Sequence, residues 1–206
     1  MAVISAADVL EEPYRGYWLA LGKFIGFFSE TEDQLRYALR RFSGVSKTSA
    51  RALFANIRVA DGISSINRLL EANGRIRAKA RLAKPFAQLG LINTTRNNII
   101  HWGARRDSTG AFIVTNRRIA LQPAAIIEYE VTPDELEAMT LDLWKIALHI
   151  TVETDRFELP KDLYRREMRQ TLHASWRYKS GARVAPRPQT PKTASARKRQ
   201  QLPSDE

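Results

Sequence analysis

The stretch FFSETEDQLRYALRRF, from Phe27 to Phe42, carries the periodicity that decides the fold class. Its apolar side chains recur at steps of three and four with charged residues on the opposite face, which is the pattern of an amphipathic helix. The pattern begins upstream, so one long helix is predicted over about residues 12–42. Its predicted buried stripe is Leu21, Phe24, Phe28, Thr31, Leu35, Leu39 and Phe42.

Two further helical segments are predicted after this helix. A Ser-Gly-Val-Ser run beginning at Ser43 ends the first helix, and Ser46 is a predicted cap for a second helix that continues to about Glu71. A third segment spans about residues 75–101. Pro85 is expected to kink or divide it, because proline lacks an amide donor and clashes with the preceding turn.

The helical period stops after Trp102. The stretch Asp107–Gly110 is a predicted turn before a β-prone run, and residues 126–131 form another strand-like run. A small β-hairpin or β-meander is therefore expected at about residues 103–131.

The sequence Thr-Pro-Asp-Glu beginning at Thr132 predicts the start of another helix. Thr132 would cap it, Pro133 would occupy its first position and Glu135 would close a capping box. This helix is expected to reach about Glu153. Its predicted inward-facing residues are Leu136, Met139, Leu143, Ile146, Ala147 and Ile150.

Together these elements predict an all-α fold, an up-and-down helical bundle with a small β-hairpin insertion. One domain is expected over residues 1–160, followed by a basic C-terminal extension over 161–206. A short helix is expected within residues 161–178. The extension is otherwise expected to be disordered, because its Pro-, Ser-, Thr-, Lys- and Arg-rich composition offers little apolar surface to bury.

Composition limits the classes of function. The chain of 206 residues contains no cysteine, which excludes disulfides, zinc–cysteine sites and thiol catalysis. This fits a reducing compartment, and the longest apolar runs are too short to span a bilayer, so we expect a cytoplasmic protein without membrane association. The net charge is +11, but residues from Arg177 onward carry eight basic and two acidic side chains. The preceding part is only mildly basic.

The most informative stretch for function is TTRNNIIHW, from Thr94 to Trp102. On an ideal helix, Arg96 falls within an apolar stripe, where a guanidinium is costly unless it is paired. Asn97 and His101 share a different flank at i and i+4. The stripe consists of Phe86, Leu89, Ile92, Ile99 and Ile100.

A partner for Arg96 is offered by the first helix. Glu32 lies beside the stripe containing Phe28 and Leu35. It could reach inward and neutralise Arg96 if the two helices pack against each other.

The segment RNNIIH resembles the signature of HEPN-domain ribonucleases, in which an arginine and a polar residue precede a histidine near a helix end. The long first helix, the β insertion and the helix beginning TPDEL resemble a subgroup associated with defence and toxin systems. The resemblance covers about residues 15–155 and excludes the tail. It implies a HEPN-like domain within residues 1–160.

The resemblance also implies an activity. Arg96, Asn97 and His101 would be the active-site residues and Glu32 a supporting residue, cleaving RNA through its 2′-hydroxyl without a metal or other cofactor. Histidine can act as acid or base near neutral pH, and arginine matches phosphate oxygens. Arg96 and His101 are about 140° apart on an intact helix, so a distorted helix end or a second copy must complete the site.

The family places two motifs face to face, so the resemblance implies a homodimer. It further implies a toxin or antiviral effector, with an antitoxin or another defence-system protein as a possible partner alongside RNA.

Two other functions stay open. Arg96 paired with Glu32 and His101 capping the helix would describe a catalytically inactive module that binds a partner protein, nucleotide or nucleic acid. A nucleic-acid-binding regulator could instead act through the basic tail. Trp102 and Trp144 are expected in the core, and His149 in a surface pair with Glu153.

Overall fold

A computed structural model describes residues 14–155 and 163–179. Over these residues the fold is mostly helical, with a small three-stranded sheet, which confirms the predicted fold class. None of the helices described is both long and apolar enough to cross a membrane. The elements are α1 (Tyr14–Ser43), α2 (Lys47–Phe54), α3 (Val59–Ala72), α4 (Ile76–Trp102), β1 (Ala104–Arg106), β2 (Phe112–Thr115), β3 (Glu128–Glu130), α5 (Pro133–Asp155) and α6 (Leu163–His173).

The first helix and α5 form the most extensive helix pair in the bundle. The predicted stripe of α1 is buried from Phe24 to Phe42, and only Leu21 at its start is partly exposed. On α5 the predicted inward-facing residues are also buried, with Ala147 partly exposed. Burial of these two faces supplies the main apolar core of the domain.

The prediction of one helix from Ser46 to about Glu71 is wrong. Ser46 does cap a helix, since its hydroxyl accepts from the Ser49 amide at 3.1 Å, but α2 ends at Phe54 and α3 begins at Val59. Val59 follows Ile57 by two residues, which is about 200° around a continuous helix. The break therefore frees the buried face of α3 from the helical period of α2, which buries only Ala50.

The long helix α4 is not divided at Pro85. Pro85 is buried inside a helix that continues to Trp102. The helix forgoes the one hydrogen bond that the proline nitrogen cannot donate, and tertiary burial compensates for this loss. The helix ends at Gly103, which has a φ of +72° and leads directly into the sheet.

The β insertion is an antiparallel meander in the order β1-β2-β3. Its first turn is held by the Asp107 carboxylate, which accepts from the Thr109 amide at 2.8 Å and the Ala111 amide at 3.0 Å. The inner face of the sheet packs on α1, where the ring of Phe112 stacks on Tyr17 with centroids 3.6 Å apart. The sheet thereby covers the helical bundle near the start of α1.

The predicted capping box of α5 is confirmed. The Glu135 amide donates to the Thr132 hydroxyl and the Thr132 amide donates to the Glu135 carboxylate, both at 3.1 Å. Because the two residues satisfy each other's exposed amides, the start of α5 is specified locally.

Loss of this cap should be measurable. We expect Thr132→Ala to lower the free energy of unfolding by about 1 kcal/mol in urea denaturation, because it leaves the Glu135 amide without its acceptor. Thr132→Ser, which keeps the hydroxyl, is the control and should stay close to the parent. Equal losses for both substitutions would contradict the assigned role of the hydroxyl.

The packed domain extends beyond the predicted boundary at residue 160. Residues 174–179, which we call the C-terminal strap, follow α6 and lie against α4 and α5, with Tyr178 buried in the core. The expected disorder of residues 180–206 lies outside the described residues. Sequence composition missed the strap because only two of its residues, Trp176 and Tyr178, are large and apolar.

Candidate functional site

Arg96 lies near the end of α4 and is partly buried against α1. Its guanidinium carbon is 5.0 Å from the centroid of the Phe28 ring, and one terminal nitrogen donates to Asn97 Oδ1 at 3.1 Å. The Arg96 Nε is buried and has no hydrogen-bond partner within the described residues. A cation over an aromatic face is attracted by the ring, but the ring does not cancel its charge.

The expected ion pair between Glu32 and Arg96 is not formed. Glu32 is partly exposed one turn beyond Phe28 on α1, and no carboxylate of the described chain lies within 4.0 Å of the Arg96 guanidinium. Arg96 rests on the ring of Phe28 instead. The guanidinium therefore keeps its positive charge uncompensated, and sequence periodicity missed Phe28 as its contact.

Asn97 and His101 lie on the flank predicted from their spacing. Asn97 is partly buried and orients Arg96, whereas His101 is exposed in the last turn of α4. The helix is intact through Trp102, so Arg96 and His101 stay about 140° apart around it. Among the described residues of one chain, Arg96 and His101 do not hydrogen-bond to each other.

Ile100 departs from the predicted stripe. Its neighbour Ile99 is buried, but Ile100 is 49% exposed in the last turn of α4, where the other helices no longer cover that flank. It lies one turn beyond Arg96 and directly before His101. An exposed apolar side chain thus accompanies the motif.

The C-terminal strap is attached to α4 immediately before the motif. The Tyr178 hydroxyl and the Thr95 hydroxyl are 2.7 Å apart, and the Gln88 amide donates to the Tyr178 carbonyl at 2.9 Å. Burial raises the pKa of the Tyr178 hydroxyl above its ordinary value. The strap therefore supports the turn that carries Arg96 from a neighbouring side of α4, about 80–100° around the helix from Arg96.

Asp142 on α5 holds the other side of the strap. This carboxylate, 2% exposed, accepts from the Arg177 amide at 3.0 Å, the Tyr178 amide at 2.9 Å and the Gln88 side chain at 2.9 Å. Three donors compensate for burial of the charge. The isolated polar residues Gln88 and Asp142 on otherwise apolar helix faces were the sequence signal that could have indicated this contact.

The remaining candidate residues lie elsewhere. Trp102 is partly buried against the core, but Trp144, expected there, is 39% exposed on α5. His149 does not pair with Glu153, whose carboxylate binds Arg81 instead. Burial lowers the pKa of His149. Within the described ranges, no three side chains of His, Asp or Glu form a group suited to a metal ion.

The motif region combines a guanidinium without a carboxylate partner, an amide that orients it and an exposed imidazole on the next turn. Such groups can bind a phosphate and exchange a proton. No protein-family model, curated protein or solved structure matches this chain, so the interpretation of the site depends on its own residues and geometry.

Proposed function

We propose that the protein is a metal-independent endoribonuclease of the HEPN type, with Arg96, Asn97 and His101 at its active site. The observation that carries the proposal is the state of Arg96, a partly buried guanidinium that Asn97 orients and no described carboxylate neutralises. A buried N–H without a partner costs about 1–3 kcal/mol, so an anion that offsets the guanidinium charge would stabilise this arrangement. A phosphate group would supply the missing negative charge.

In the proposed reaction, the 2′-hydroxyl oxygen of RNA attacks the adjacent phosphorus and loses its proton to a base. The bond from phosphorus to the 5′-oxygen breaks, and an acid donates a proton to that oxygen. The products are a 2′,3′-cyclic phosphate and a 5′-hydroxyl. His101 would exchange one of these protons and Arg96 would stabilise the charge on the phosphate oxygens.

A second copy of the chain completes the proposed site. Because α4 is intact, Arg96 and His101 of one chain point in different directions, so a homodimer with facing motifs is the arrangement that unites them. Ile100 offers an apolar contact at the same place. In this role the protein would act as a toxin or antiviral effector, restrained by an antitoxin or another defence protein. Glu32, one turn from Phe28, would support the site from its rim.

The direct test is RNA cleavage by the full chain in excess chelator. We expect cleavage to continue, because the described part contains no group of side chains suited to a catalytic metal. Analysis of the new ends should give cyclic phosphate and 5′-hydroxyl. Cleavage that stops with chelator, or that leaves a 5′-phosphate, would contradict the mechanism.

A catalytically inactive binding module is the second candidate. The exposure of His101 and its angular distance from Arg96 favour this alternative. If the protein is shown to be a dimer and binds RNA without cutting it, the inactive binding module is the correct function.

A further inference from the structure

A second guanidinium is held in place shortly after the motif. Arg106, at the end of β1, is five residues beyond His101. Its guanidinium carbon lies 4.5 Å from the centroid of the Tyr14 ring, and its Nε donates to the Gly110 carbonyl at 3.3 Å. Stacking and a hydrogen bond together restrict an otherwise flexible side chain.

Gly110 is required for this arrangement. Its φ is +93°, and a Cβ atom there would lie 3.0 Å from a terminal nitrogen of Arg106 and 3.3 Å from Nε. A larger residue would therefore displace the guanidinium as well as strain the turn. Arg106 therefore contacts the Tyr14 ring on one side and the backbone of the turn on the other.

The charge of Arg106 is uncompensated. No carboxylate within the described ranges lies within 4.0 Å of it. The adjacent Asp107 carboxylate is occupied by the turn, where it accepts from the Thr109 hydroxyl at 2.7 Å and from the Ala111 amide. The Thr109 hydrogen bond holds the pKa of Asp107 below its ordinary value. Arg106 itself is exposed, so its terminal nitrogens can meet a ligand from solvent.

The two guanidiniums without a carboxylate partner, those of Arg96 and Arg106, both contact aromatic rings of α1. Arg96 covers Phe28 and Arg106 covers Tyr14, two rings separated by fourteen residues of α1. Fourteen residues correspond to about 21 Å along the axis and return to within about 40° of the same direction. The same face of α1 therefore carries a cation near each end of this span.

We propose that Arg106 is a second phosphate-binding residue, which holds a phosphate several nucleotides away on the single-stranded RNA that Arg96 engages. This inference rests on the proposed function. A fixed guanidinium with free N–H groups suits a phosphate oxygen pair. The rings beneath the two guanidiniums are about 21 Å apart along α1, so an RNA that contacts both must be several nucleotides long. An RNA long enough to contact both guanidiniums should therefore bind more tightly than a shorter RNA that contacts only one.

The test measures binding of the full chain to fluorescent RNA decamers and trimers whose 2′-hydroxyls are methylated, so that neither can be cleaved by the proposed route. Arg106→Ala should weaken decamer affinity about tenfold at low salt and reduce the salt-dependence slope by about 0.7, the value for one phosphate contact on a single strand. Trimer affinity should change little, because a trimer does not reach from Arg96 to Arg106.

Arg77→Ala is the matched control. It removes the same charge from an exposed position in the first turn of α4, at the opposite end of the helix from the motif. It should leave decamer binding near the parent value. Arg106→Lys keeps the charge without the planar fork, so it should keep most of the salt-dependence slope while losing part of the decamer affinity. Thermal melting of each variant checks that it is folded.

The outcomes separate this inference from the function on which it rests. Equal effects of Arg106→Ala and Arg77→Ala, parent-like binding by Arg106→Ala, or no binding of the decamer by the parent would each overturn it. A lower melting temperature for Arg106→Ala and Arg106→Lys with unchanged RNA affinity would also overturn it. In that case Arg106 would stabilise the fold without binding RNA. Arg106-dependent binding by a parent that never cleaves unmodified RNA supports this inference and overturns only the nuclease proposal.

Discussion

His101→Ala should leave the fold and the oligomeric state unchanged while lowering RNA cleavage by about 10²–10⁴-fold, the usual contribution of a general acid or base. The side chain is exposed on the flank away from the buried face of α4, so its removal costs little packing. The measurement is single-turnover cleavage of a labelled RNA, with thermal melting and sizing of each variant. Arg96→Ala is a poorer test because Arg96 also contacts Phe28.

His173→Ala provides the matched control. His173 is likewise exposed, but it lies at the end of α6 and outside the motif. Its loss should leave cleavage at the parent rate. A folded His101→Ala variant that cuts RNA as fast as the parent would remove His101 from the chemistry and favour the inactive-module function.

Tyr178→Ala should be the most destabilising single substitution that we predict, lowering the free energy of unfolding by roughly 3–5 kcal/mol, as for other buried aromatic residues. Tyr178 is only 7% exposed and belongs to the main core, and its hydroxyl contacts Thr95. In a chain of this size, such a loss lowers the melting temperature on the order of 10 °C. Calorimetry or urea denaturation would measure it.

Two comparisons isolate the cause. Tyr178→Phe keeps the ring and should cost only about 1 kcal/mol, the usual net value of one hydrogen bond. A chain ending at Lys179 should melt near the parent temperature, because residues 180–206 have no apolar stripe, whereas a chain ending at His173 should lose as much stability as Tyr178→Ala. Similar stability for both truncations would show that the strap does not belong to the folded domain.

The sequence by itself determined the features that depend on neighbouring residues along the chain. The spacing of apolar residues from Phe24 to Phe42 was sufficient to predict α1, and the Thr132–Glu135 capping box was sufficient to predict where α5 begins. Helical periodicity and capping act within a few residues, so local sequence encodes them. The same holds for the Asp107 turn, whose carboxylate binds amides two and four residues later.

Only the tertiary structure decided which distant residues meet. Periodicity placed Arg96 on the inner face of α4, but helix packing put Phe28, rather than Glu32, beneath it. Composition assigned Tyr178 to a tail, but hydrogen bonds to the Asp142 carboxylate and from the Gln88 side chain hold it in the core. These contacts depend on the relative positions of elements far apart in sequence, which a helical period does not specify because it gives direction around one axis alone.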